Sequence, residues 1–309
     1  MKRRVLTLKG GEPAVALGAF LSRGLELSEP QARRLVERGA VYLKGKRCRQ
    51  WSTLLNPGDV VTAVLQEGGR STVEPLEDEA PFALCVLFED AEVFAVNKPP
   101  GVPSQPTPGG TGVSLLERAS RHLGAPAGLV HRLDLETSGV MIFGKSPGAT
   151  SSLAACFREG TARKRYLAVV GPGLNPRSGS VDLAISKDPS RPGRYRAKAG
   201  AQGVSAFTEF HTLAAPGAFT LLALFPRTGR THQLRAHLTA LEHPIAGDRK
   251  YGGAEALGGN PADRCLLHAQ ALLISQPRTM APLLLEAPLP PDLQLFFDAA
   301  EASPPKGAW

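Results

Sequence analysis

The sequence predicts an α+β fold: a body with a mixed, mostly antiparallel β-sheet and flanking helices, preceded by a small helix-helix-hairpin domain. Three observations predict it. From residue 82 onward, short runs of β-branched and aromatic residues recur with few helical stretches between them, so hairpins outnumber βαβ crossovers. Between residues 14 and 38 the apolar positions fall at helical spacing instead. Charge divides along the same line. Residues 1–70 hold 13 Lys/Arg against 6 Asp/Glu, a net +7, while the remainder contributes only +1 of the chain's +8.

In chain order, helices are expected over 14–23 and 29–38. The second opens on Ser28-Glu-Pro-Gln31, which fits a capping box with Pro30 in the first turn, and stops at Gly39. Ala32, Leu35 and Val36 form its apolar stripe; Arg34 and Arg38 share the solvent face, with Arg33 adjacent. Val41-Tyr-Leu43, a turn at Lys44-Gly45-Lys46 and a strand near 59–65 follow, crowding Lys44, Lys46, Arg47 and Arg49 onto a hairpin. The glycine, proline and acid mixture between 71 and 81 reads as a linker. The larger body then runs over 82–298, and a Pro-rich tail over 299–309. Its expected strands are 84–88, 92–96, 138–144, 165–170, 204–212, 219–225 and 266–274, and its expected helices lie near 113–123, 148–158 and 230–241. Two of the strands are joined as a hairpin by Ala215-Pro-Gly-Ala218.

Composition excludes several classes. At 42% hydrophobic residues the chain can bury a core, but no apolar run approaches the length of a membrane span. Neither the basic start nor the apolar stretch Pro13–Leu21 offers a cleavage site, so no signal peptide is expected, and a cytoplasmic protein is. The four cysteines are scattered, with no C-x-x-C, and His232 and His237 stand five apart, so neither a disulfide framework nor a metal site is expected. A basic segment joined to a near-neutral body suits a polyanionic partner.

Two motifs mislead. Gly139-Val-Met-Ile-Phe-Gly144-Lys145-Ser146 matches a P-loop letter for letter, yet its interior is a run of bulky strand formers that could not curl amides around a phosphate, and Pro147-Gly148 argues against the helix start a P-loop needs. His131-Arg-Leu-Asp134 has one residue too many for a kinase H-R-D loop, and no D-F-G follows.

The stretch with chemical content is His131-Arg132-Leu133-Asp134-Leu-Glu136-Thr137-Ser138-Gly139, an arginine and a carboxylate two residues apart. Around it stand Val93–Gly101, ending Asn97-Lys98-Pro-Pro-Gly; Arg163-Lys164-Arg165-Tyr166; Arg227-Thr-Gly-Arg230-Thr-His232-Gln-Leu-Arg235-Ala-His237, followed by Pro244–Gly252; and Leu267-His268-Ala269. In this order the set resembles the RluA family of RNA pseudouridine synthases, from about residue 84 to 293. It departs after Gly101, where Val-Pro-Ser-Gln-Pro replaces the family's hydrophobic-histidine-proline stretch. Residues 14–70 resemble the small RNA-binding module first described in a ribosomal small-subunit protein, departing at Lys44, where that family has asparagine before the glycine.

The resemblance implies an isomerase that detaches uracil from its ribose, turns it and rejoins it through a ring carbon, with no cofactor and no metal. It implies Asp134 as the reacting carboxylate, Arg230 as the arginine paired with it, Tyr166 as the surface under the flipped base, and Arg132 as the side chain filling the vacated stack. Arg33, Arg34, Arg38, Lys44, Lys46 and Arg47 are the expected phosphate contacts of the N-terminal module. The expected substrate is large-subunit ribosomal RNA, with transfer RNA as the alternative, and a non-catalytic RNA-binding or assembly factor as the rival from another class. A monomer is expected.

Overall fold

A computed structural model describes residues 2–8, 13–25, 27–37, 40–48, 50–65, 84–107, 113–198, 200 and 202–307. The chain divides into two compact units, Met1–Phe82 with Pro106–Gly112, and Ala83–Gln105 with Val113–Trp309. Among the described residues no helix is long and apolar enough to cross a membrane.

The first unit contains more strand than a helix-helix-hairpin. Its principal elements are β1 (Lys2–Thr7), α1 (Leu17–Leu25), α2 (Glu29–Glu37), β2 (Val41–Leu43), β3 (Lys46–Arg47) and β4 (Val60–Leu65). These four strands form one sheet in the order β1-β4-β2-β3, with β1 paired antiparallel to β4 along six residues, and Val15–Ala16 pairs separately with Leu54–Leu55. The helices pack through Leu17, Phe20, Leu21, Ala32 and Val36 on Val41, Val61 and Ala63. Lys44 and Gly45 form the two-residue turn between β2 and β3, both with positive φ, +50° and +77°. That turn is why asparagine or another small polar residue suits position 44: a lysine must take the left-handed conformation there without a bond from its side chain to the turn's own backbone.

The second unit is built on a mixed, mostly antiparallel sheet. Its principal strands are β5 (Cys85–Glu89), β6 (Val93–Lys98), β7 (Ser138–Gly144), β8 (Arg163–Val170), β9 (Ser178–Asp182), β10 (Phe207–Ala214), β11 (Thr220–Pro226), β12 (Leu267–Ser275) and β13 (Pro282–Glu286). The order is β9-β10-β11-β8-β12-β7-β6-β5, with β13 on β12. The helices are α3 (Leu115–Leu123), α4 (Pro147–Glu159), α5 (Gln233–Ala240) and α6 (Pro291–Ala299). The strand and helix positions read from the sequence lie within a few residues of these. β9, β13 and α6 are additions to that reading. α6 begins Pro290-Pro291, a pair that reads as loop but is tolerated at a helix start because the first-turn N–H groups have no partner anyway. The same physics corrects the reading of Pro147: it stands at the first turn of α4, with Ser146 capping the helix through Ala149 N. The P-loop look-alike is the fully buried strand β7.

β7 and β12 pair parallel, through Ser138 opposite His268 and Gly139 opposite Ala269. The approach is close. A Cβ on Gly139, whose φ is +113°, would collide with the Ala269 carbonyl, so only glycine fits. One core packs β8, β10, β11 and α6 together, and another joins β6, β7 and α4.

Candidate active site

The cleft of interest opens beside that parallel junction. It is lined by Arg132, Leu133, Asp134, Thr137, Lys164, Tyr166, Thr228, Gly229, Arg230, His232, Leu234, Arg235 and Leu267 among others, and encloses about 510 Å³ of solvent-open space. Four segments far apart in sequence supply it: the turn before β7, the start of β8, the loop leading into α5 with the first turn of that helix, and the start of β12.

Asp134 begins a turn closed by Thr137 N donating to its carbonyl at 3.1 Å. Aspartate is favoured at the first position of such a turn. The turn is held from several sides. Ser104 Oγ donates to Leu133 O at 2.8 Å and accepts from Leu133 N at 3.0 Å. Lys98, wholly buried, donates to the carbonyls of Pro99, Val102 and Leu135 at 2.9, 2.8 and 3.0 Å. Arg264 forks onto Asp292 at 2.6 and 2.9 Å and reaches Glu136 O at 2.8 Å. Burial, with Arg264 nearby, pushes the Lys98 ammonium down to about 7. Three carbonyls use its three N–H donors, an arrangement that suits the protonated form.

The cation that meets Asp134 is Arg235, whose Nη1 lies 3.1 Å from Oδ2. Arg230, the partner expected from the sequence, lines the same cleft but is exposed, and its Nε donates to Ser205 O at 3.0 Å. The reason is local. Arg230 precedes the helix in a loop fixed by Gln233, whose side chain accepts from Arg230 N and Thr228 Oγ1 and donates to Phe207 O and Thr208 Oγ1. Arg235 lies within the first turn of α5 and is aimed inward by Asp248, which takes Nε at 2.7 Å and Nη2 at 2.8 Å. The guanidinium thus spends one edge on Asp248 and presents the remaining nitrogen to Asp134, which the point charge of a lysine could not do. Asp248 and Asp134 hold Arg235 firmly charged despite its burial.

Tyr166 sits on β8 where the pairing with β12 shifts register between residues 165 and 166, leaving Gln270 out of step. Such a bulge re-aims a side chain. Burial, reinforced by the negative charge of Asp134, pushes the Tyr166 phenol far up. Lys164, two residues earlier on the same face, donates to Thr228 O at 3.1 Å, and burial lowers it to about 8. On the opposite face Arg165 is buried, bonded to Gln270, Glu286, Pro305 O and Gly307 O, so the segment read as a tail is tied to the back of this strand. Arg132 is exposed on the cleft rim.

The histidines divide by environment. His131 stacks on Phe157 at 4.6 Å and accepts from Ile142 N through Nε2. Burial depresses it to about 3. His237 is enclosed between Thr208 and Leu183 O. His268 is buried against Ser138 Oγ at 2.9 Å, and burial lowers it to about 4. Among the described residues, no three His, Cys, Asp or Glu side chains gather as a metal-holding group.

Of the N-terminal cations, Arg33 and Lys44 are exposed. Lys44 Nζ lies 2.7 Å from Asp59. The side chains of Arg34, Lys46 and Arg47, and all of Arg38 and Arg49, lie outside the described residues. Sequence reasoning gives no role to Arg235, Asp248, Tyr251 or Ser104. The first three stand inside the motifs quoted, but nothing in their spacing says which of two arginines turns inward.

A family described as RNA pseudouridylate synthase matches residues 92–240. The chain is 35% identical over 283 residues to the ribosomal large subunit pseudouridine synthase D of Xylella fastidiosa, covering 87% of this chain and 83% of that protein. It is 32% identical over 298 residues to the ribosomal large subunit pseudouridine synthase C of Yersinia pestis, covering 93% and 92% respectively. Among solved structures, human RNA pseudouridylate synthase domain containing 4 is similar with a TM-score of 0.59 and 26% identity, over 72% of this chain and 94% of that one.

Proposed function

The chain belongs to the RNA pseudouridine synthase family, and from that premise we propose that it isomerises specific uridines of large-subunit ribosomal RNA, with Asp134 as the reacting carboxylate. The bond between ribose C1′ and uracil N1 breaks, a bond from C1′ to C5 forms, C5 loses its proton and N1 gains one. Atoms and electrons balance within the nucleotide and water, so the reaction needs no redox partner. The observation that carries the reading is Asp134 itself, held by Arg235 in a cleft with Tyr166 and still partly open to solvent on one side.

A carboxylate pressed against a nucleobase would tend to take up a proton, and an adjacent guanidinium opposes this. Extrusion of the target uridine costs a few kcal/mol. Arg132, exposed at the rim, is placed to occupy the vacated stack. Tyr166 offers the base a stacking surface, an interaction worth about 1–3 kcal/mol. Its phenol is so far from ionising that it serves as a hydrogen-bond donor; to remove the C5 proton it would have to pass on its own at the same moment. Arg230, free of the ion pair with Asp134, becomes a phosphate contact at the entrance. Residues 1–70 form the RNA-binding module, with 82–298 as the catalytic domain. The names of the relatives support a ribosomal target.

Tritium at C5 of uridine in ribosomal RNA is released as the new bond forms. Wild-type protein should release it, and Asp134→Asn should lower the rate at least about 1,000-fold while RNA binding stays within about twofold. Undiminished release by Asp134→Asn would remove Asp134 from the chemistry. Pseudouridine mapping of total RNA with and without this protein tests the target; loss of a site in transfer RNA alone would overturn the ribosomal assignment.

A further inference from the structure

His232 is not used by the chemistry above, yet it occupies an unusual place. It is the residue before α5 and makes no side-chain cap bond to the helix. Its φ is +54°, in the left-handed region. Non-glycine residues are held there only where the surroundings over-determine them, and such strain concentrates at functional sites. The backbone twist turns the ring into the cleft, where Nε2 lies 3.9 Å from Asp134 Oδ2.

The other ring nitrogen fixes which proton the ring carries. His232 Nδ1 is 3.0 Å from the Tyr251 hydroxyl. That hydroxyl already accepts from Tyr195 N at 2.9 Å. The Tyr251 ring lies between two guanidinium groups, Arg194 and Arg235, each 4.8 Å from its centre. Burial pushes the Tyr251 phenol up to about 12, so it keeps its proton, and burial pulls His232 down to about 4, so the imidazole is neutral. With Tyr195 N on one of its lone pairs, the hydroxyl has its own hydrogen to give, and Nδ1 lies within hydrogen-bond distance of it. Assigning that hydrogen to Nδ1 makes Nδ1 the acceptor and puts the ring's single N–H on Nε2, facing Asp134.

We propose that His232 is a positioning residue for the reacting carboxylate: Tyr195 and Tyr251 fix its tautomer so that its Nε2–H becomes the second donor to Asp134 when a flipped nucleotide closes the cleft. Asp134 would then be fixed from two directions, by Arg235 along one line and His232 along another. The gap of 3.9 Å is about 1 Å beyond hydrogen-bond length, a distance that side-chain rotation of Asp134 or His232 can close while the turn backbone stays where Ser104 and Lys98 hold it. The strand bearing Tyr195 also carries the exposed Arg196, so a cation suited to RNA phosphate adjoins the residue that sets the tautomer. The inference rests on Asp134 being the reacting group, but its first test does not.

Nitrogen-15 spectra of the imidazole in wild-type full-length protein should show a neutral ring protonated at Nε2. In Tyr251→Phe that preference should weaken. A ring protonated at Nδ1 in the wild type would overturn the proposal whatever the role of Asp134. In single-turnover assays His232→Leu should slow isomerisation about tenfold or more with RNA affinity unchanged, the loss of one hydrogen bond to a charged group. His232→Gln, which keeps a side-chain N–H donor, should recover most of that loss. Full activity in His232→Leu, or equal loss in the Leu and Gln variants, would sink the idea. Should His232→Leu fail to fold, the wild-type spectrum still decides. If Asp134→Asn is active while the ring is Nε2-protonated, the fault lies with the catalytic reading and not with the tautomer.

Discussion

The cations of the two units do opposite work. In the first unit Lys44 and Arg33 are exposed on the surface, Lys44 with its ammonium 2.7 Å from Asp59, and the segment carries nearly all the net charge of the chain. In the second unit Lys98, Arg165 and Arg235 are buried, and each is met by carbonyls or carboxylates in fixed geometry. Exposed charge acts at a distance, raises the local concentration of a polyanion, and is screened by salt. Buried charge matched by its own acids adds little to that long-range field and is screened much less. It is costly to bury and is retained where it orients something. Net charge is therefore a property of the first unit's sequence, while the geometry of the cleft comes from cations that sum to almost nothing with their acids.

That contrast makes graded predictions. The largest effect should come from Arg235→Ala, which strands both Asp134 and Asp248. Denaturant unfolding should show a loss of about 3–5 kcal/mol, with activity abolished, and Arg235→Lys should recover little of either because it lacks the fork. Next comes Arg165→Ala. It should cost about 2 kcal/mol and expose residues 302–307 to protease; unchanged cleavage would show that the back of β8 is held by other interactions. The histidines extend the comparison to groups buried without charge. His131 and His268 are lowered from 6.5 to about 3 and about 4. Their unfolded forms take up protons first, so stability should be flat above about pH 6.5 and fall as pH drops from there toward 4, by up to about 1.4 kcal/mol per pH unit for each group. His268→Gln should reduce that slope in a pH series of melts, leaving the share of His131; a slope left unchanged would remove His268 from the acid loss. The smallest change in stability should be that of Arg33→Ala on the surface of the first unit, with Lys44→Ala costing more because it takes the ammonium away from the buried Asp59. RNA affinity should weaken evenly across sequences, and the salt slope should shrink by about one for each phosphate no longer neutralised. A change in target position instead would mean that these surface residues read sequence.

Much of the second unit is legible because its strands are short, strongly β-forming and punctuated by turn residues; β7 and β11 can be placed almost to the residue. The elements that escape have weak local signals. β9, Ser178–Asp182, is mostly exposed and apolar at one position, so only pairing with β10 makes it a strand. α6 hides behind two prolines. In the first unit β1 begins Lys-Arg-Arg, which reads as a charged end and becomes a strand only because β4 offers it a partner. The site is legible as a set of motifs around Asp134 and Tyr166. It is not legible as a network of bonded partners. The departure after Gly101 looks like a loss, yet Ser104 within it grips the backbone of Leu133 from both sides.

The sequence by itself determined where the strongly patterned strands and helices form, which unit carries the charge, and that an aspartate follows an arginine at the head of β7. It did so because periodicity, turn chemistry and charge are local properties. Only the tertiary structure decided which arginine reaches Asp134 and which nitrogen of His232 faces it. Two arginines five residues apart differ little in local propensity; the direction each of these side chains takes is set by Asp248, Ser205 and Tyr251, partners brought in from other segments when the sheet and α5 pack together.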